Sequence, residues 1–165
     1  MFKLLEINLF KSHRLPAQLS DLSLIQILVI GSAFLIPVFS ALRLAKFNVD
    51  ERQTSSFIGL PTPANALFIS SLALIQEHGN IPAIDNFLLN IPVLLVLTFL
   101  FSYLLVSEIP MFSLKFKNLS FQPNKIRYIF ISLSAVMILL IDLYGIAATI
   151  LLFILISVFL MYRKR

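Results

Sequence analysis

Residues 22–42, LSLIQILVIGSAFLIPVFSAL, form a run of 21 residues without a charge, closed by Asp21 on one side and Arg43 on the other. A helix needs about 20 such residues to cross roughly 30 Å of hydrocarbon, so this run alone predicts a membrane span. Pro37 lies inside it and is tolerated there with a kink. The rest of the chain agrees. Of 165 residues 59% are apolar and 13% charged, with a mean hydropathy of +0.95, whereas a soluble domain carries roughly a quarter of its residues charged. The sequence has no cysteine and only two histidines, His13 and His78, which excludes a disulfide-stapled secreted domain and a zinc protein. Its net charge of +5 sits at the ends of apolar runs rather than on one polar face. That placement points to anionic lipid headgroups and away from nucleic acid.

Outward from this run, the spacing of charges predicts an all-α fold, a polytopic bundle with about five spans. Asp85 and Glu108 enclose 22 uncharged residues, NFLLNIPVLLVLTFLFSYLLVS, in which Pro92 fits a first helical turn. Between Arg52 and Glu77 the polar stretch QTSSFIGLPTP precedes a helix capped by Thr62, with Pro63 at the first position and 14 helical residues to Gln76. The tail from Tyr128 to Tyr162 carries one charge, Asp142, and is too long for one crossing. It reads as a hairpin turning at Asp142-Leu143-Tyr144-Gly145. The spans are thus expected near 22–45, 62–77, 87–109, 126–143 and 145–162, within a transmembrane domain 22–162 that is followed by a basic cytoplasmic tail, 163–165.

Five spans place Arg43, Lys46, Arg52, Lys115, Lys117, Lys125, Arg127, Arg163, Lys164 and Arg165 on one side, which the positive-inside rule makes cytoplasmic. Only Lys3, Lys11 and Arg14, in the stub 1–21, fall opposite. That stub reads either as an interfacial amphipathic segment using Phe2, Leu5, Leu9 and Phe10 or as the end of a helix plus a loop. Tyr128, Tyr144 and Tyr162 supply the aromatic belt in a chain without tryptophan.

The polar features that could carry chemistry cluster between the first two spans. In SALRLAKFN, Arg43 and Lys46 are three apart and share one face of a helix end. Cations there suit the helix dipole and anchor the span, and an arginine fork with a lysine also suits a phosphate, a diphosphate or a carboxylate. Gly59-Leu60-Pro61-Thr62-Pro63 reads either as a plain turn or as a rigid loop presenting helix amides to an anion. Asp21, Asp50, Asp85 and Asp142 lie in different interhelical regions and predict no carboxylate cage. Asp50-Glu51 reads as a solvated loop, and no serine, histidine and aspartate suggest a triad.

The stretch Ser40 to Phe68, with ALRLAKFN followed by FIGLPTPANALF, resembles the CDP-alcohol phosphatidyltransferase family, and within it the bacterial CDP-diacylglycerol-serine O-phosphatidyltransferases. The resemblance implies phospholipid biosynthesis in the cell inner membrane, with the phosphatidyl group moved from CDP-diacylglycerol to L-serine and CMP released. It implies divalent metal, Mg or Mn, held by aspartates of a signature D-G-x2-A-R, eight residues, G-x3-D-x3-D. That signature is absent from this sequence. MFKLLE resembles the end of the helix that carries its last two aspartates, so the expectation is a C-terminal part with no catalytic residue or metal ligand of its own. What remains for substrate binding is Arg43, Lys46 and Asn48 at the headgroup, with Gly59, Pro61 and Pro63 as a wall. The alternative from another class is a non-catalytic multipass protein that binds anionic headgroups. The lipid bilayer is the partner in either case, and a homodimer is left open.

Overall fold

A computed structural model describes residues 1–10, 22–50, 57–114, 116 and 120–163. The loop part of the expected stub, Arg52, Lys115, Lys117 and the last two tail residues lie outside the described residues. Among the described residues the fold is all-α apart from one pair of two-residue strands. Helix α1 (Phe2–Leu9) is followed by α2 (Leu24–Gly31), a 3-10 turn (Ser32–Phe34) and α3 (Leu35–Val49). Strand β1 (Phe57–Ile58) leads into α4 (Thr62–His78), α5 (Pro82–Leu88) and α6 (Ile91–Val106). Strand β2 (Pro110–Met111) precedes α7 (Phe121–Ile141) and α8 (Leu143–Arg163).

Local chemistry explains most of these boundaries. Ser23 opens α2 with a reciprocal capping box: its hydroxyl accepts from the Gln26 N–H at 3.3 Å, and the Gln26 side-chain oxygen accepts from the Ser23 N–H at 2.8 Å. Pro37 has no N–H for the carbonyl of Ala33, and the helix answers by tightening to 3-10 geometry at Ser32–Phe34 instead of breaking. Leu24–Val49 is therefore one 26-residue run, four residues beyond the expected end at 45.

Two expected boundaries are corrected. The N-cap of α4 is Pro61, without a side-chain cap bond, so Thr62 is already helical and the helix runs 17 residues to His78, longer than 14. Within the expected span 87–109 the helix is α6, Ile91–Val106, shorter at both ends; α5 precedes it and is bent from it by 59° at Leu89–Asn90, because Asn90 is extended and Pro92 sits in the first turn of the new helix. The terminal hairpin turns at Asp142 alone, whose φ of 47° is rare for a residue with a Cβ. Gly145 then seats α8 on α7, since a Cβ there would lie 2.5 Å from the Met137 carbonyl oxygen.

Among the described residues three helices are long and apolar enough to cross a membrane, Leu24–Val49, Asn124–Ile141 and Leu143–Arg163, and a fourth crossing arises if the bent pair α5 and α6 counts as one. Helix α4 has 17 residues, at the lower edge of spanning length. Only 11% of the apolar window in Leu24–Val49 is buried, and side chains such as Leu24, Leu28 and Val49 are fully outward, a surface suited to lipid and costly in water.

The core lies where α4 meets α6 and α8. Phe68 of α4 stacks on Phe101 of α6 with ring centroids 4.1 Å apart. Phe112, Phe130 and Phe153 join the strand region to the hairpin. Helix α1 docks through Leu4 and Leu5, and Asn8 donates to the Gln76 side chain of α4 at 2.7 Å; Phe2 stays exposed. A 590 Å³ cavity with almost wholly carbon walls, including Leu72, Phe87, Val96 and Leu151, separates the bent pair from α8.

The basic residues of α3, α7 and α8 gather at one end of the bundle. At one end β1 pairs antiparallel with β2, the Phe112 N–H donates to Ser157 of α8, and Arg43, Lys46, Arg127 and Arg163 lie on the flanking helix ends. At the other, the Tyr144 hydroxyl donates to Asp85 at 2.6 Å and accepts from the N–H groups of Asn80 and Ile81, tying the α4–α5 connection to the hairpin turn beside Asp142.

Candidate functional site

At the basic end, the last two turns of α3 lie against the C-terminus of α6. Arg43 and Lys46 share one face there, as the three-residue spacing requires. Arg43 points inward and is 8% exposed. Its Nε and Nη2, the two nitrogens along one edge of the guanidinium, have no hydrogen-bond partner among the described residues. That edge is the fork that holds two oxygens of a phosphate or carboxylate side by side, and leaving it unmet in a buried place is costly. Lys46 reaches outward, donating to the Val106 carbonyl at 3.1 Å and to Glu108 Oε1 at 3.0 Å.

The strap from β1 to α4 forms the next wall. Gly59 adopts a φ of +77°, its N–H donates to the Ile109 carbonyl at 2.9 Å, and the N–H of the fully buried Leu60 donates to the Leu104 carbonyl at 2.8 Å. These bonds engage carbonyls at and beyond the last turn of α6, which the helix itself cannot satisfy. The strap, the end of α3 and the residues after α6 enclose a cleft lined by Arg43, Lys46, Asp50, Ile58, Ser107 and Glu108, with a volume of about 10 Å³, enough for one water.

Of the residues singled out from sequence, the structure brings together Arg43, Lys46 and, through its backbone, Gly59. Pro61 is the half-buried cap of α4. Asn48 and Pro63 are exposed and do not line the cleft. Glu108 and Asp50 are the additions. Glu108 served in the sequence only to end an apolar run, and Asp50 read as a solvated loop; no local signal connects position 46 to 108, 62 residues later. Two further buried polar atoms, Asn65 Oδ1 on α4 and Ser102 Oγ on α6, lack partners among the described residues and flank the Phe68–Phe101 stack in sequence.

Among the described residues no three histidine, aspartate or glutamate side chains gather.

No family model, curated protein or solved structure matches this chain.

Proposed function

We propose that the basic end of this bundle is the headgroup side of a membrane phosphatidyltransferase site, taking a phosphate or diphosphate of a lipid such as CDP-diacylglycerol. The single observation that supports it is the buried edge of Arg43, unmet among the described residues, which an oxyanion with two oxygens completes. Lys46 at the same helix face adds the second positive charge a diphosphate needs. The finer assignment, transfer of the phosphatidyl group to L-serine, rests on the resemblance of residues 40–68. In that reaction the serine hydroxyl oxygen bonds to the phosphorus next to the lipid, the hydroxyl proton passes to solvent, the bond from that phosphorus to the bridging oxygen breaks, and CMP departs with the electron pair. Arg43 would hold the diphosphate oxygens and lower the cost of their charge, while the aspartates that the family uses are not in this sequence. The chain by itself is accordingly a binding half-site, expected to release no CMP.

In this reading the five apolar segments cross the inner membrane, α4 and the bent pair being held by their neighbours, with the basic end cytoplasmic. The test is retention of radiolabelled CDP-diacylglycerol by the full chain in detergent micelles. Arg43→Gln removes two charge-assisted bonds and should weaken retention tenfold or more, with Arg43→Lys intermediate. Retention by Arg43→Gln equal to wild type would overturn the site.

A further inference from the structure

We infer that Glu108 is a built-in competitor for this anion site: its carboxylate occupies Lys46 and closes the cleft over Arg43, and a bound phosphate must displace it. This rests on the anion-binding reading above and adds the residue that sets its affinity. Three observations carry it. The cleft holds about one water, too little for a diphosphate, so it must open to bind. One of its closing contacts is the Lys46–Glu108 pair at 3.0 Å, in which the two side chains are 52% and 60% exposed. A pair so wet is weakly held, so ligand oxygens can replace it at small cost. The buried edge of Arg43 behind it stays unmet, so the carboxylate satisfies the outer cation and leaves the inner fork for an incoming ligand.

The exposed Glu108 side chain can turn away while the backbone around it stays in place, since Gly59 holds the Ile109 carbonyl and Leu60 holds the Leu104 carbonyl of α6. Because Glu108 and Asp50 both line the cleft, neutralising Glu108 also removes a like charge near an incoming anion.

The experiment titrates inorganic pyrophosphate into the purified full chain, comparing wild type, Glu108→Gln and Arg43→Gln. Glu108→Gln should bind about three- to fivefold more tightly, at most about 1 kcal/mol at 1.4 kcal/mol per decade, with the gain shrinking in high salt. Arg43→Gln should abolish binding. If Arg43→Gln abolishes binding and Glu108→Gln leaves it unchanged or weaker, the competitor role is overturned and the anion site stands. If Arg43→Gln binds like wild type, the site itself is wrong. Glu108 is exposed and its replacement isosteric, so folding does not confound the comparison.

Discussion

Replacing Gly59 by alanine tests how the strap holds the site. The backbone at Gly59 has a φ of +77°, a left-handed conformation that costs a residue with a Cβ roughly 1–2 kcal/mol. The added Cβ would also sit 2.7 Å from the Leu105 carbonyl oxygen and 3.0 Å from that of Ser107. Both are backbone atoms and cannot rotate aside. To reach ordinary contact the strap must retreat by about 0.7 Å, which stretches the 2.9 Å bond to Ile109 and the 2.8 Å bond to Leu104 beyond hydrogen-bonding range. Two such bonds contribute about 0.5–1.5 kcal/mol each. The combined loss is about 3 kcal/mol, read as a lower midpoint in unfolding of the detergent-solubilised chain by sodium dodecyl sulfate, together with weaker pyrophosphate binding. Gly31→Ala is the control, because no atom lies within 4 Å of the Cβ it would add. It should be neutral or stabilise by up to about 1 kcal/mol. A Gly59→Ala chain that unfolds and binds like wild type, to within about 0.5 kcal/mol, would refute the argument that the strap is wedged against the α6 carbonyls.

At the opposite end, Tyr144→Phe removes the hydroxyl that donates to Asp85 and accepts from Asn80 and Ile81, and should cost about 2 kcal/mol. Hydrogen exchange at the Asn80 and Ile81 amides should accelerate while pyrophosphate binding is unchanged; unaltered exchange would deny the latch. For the topology, single cysteines at Asn48, Asn80 and Arg163 meet no native thiol. An impermeant reagent outside intact cells should label Asn80→Cys alone, and outside labelling of Asn48→Cys or Arg163→Cys would reject the proposed orientation.

Sequence alone determined the parts of this protein that depend on sums over neighbouring residues. The uncharged run before Arg43, the hairpin at Asp142 and the placing of basic residues at helix ends are all local, since hydropathy, turn chemistry and charge need no distant partner. Residues whose role depends on contact were not legible in that way. The 59° break before α6 required knowing that Asn90 is extended, which Pro92 permits but does not compel. Gly59 reads in the sequence as part of a turn or a rigid loop, but that the C-terminal carbonyls of α6 leave no room for a Cβ there is a matter of packing. Arg43 and Lys46 were visible as a pair three residues apart, but their different fates, one buried with an unmet edge and one bound to Glu108, are set by α6 packing against α3. Helix packing decides such things because it brings positions 43, 46 and 108 to one cleft and the α6 carbonyls against Gly59, a proximity that no spacing along the chain encodes.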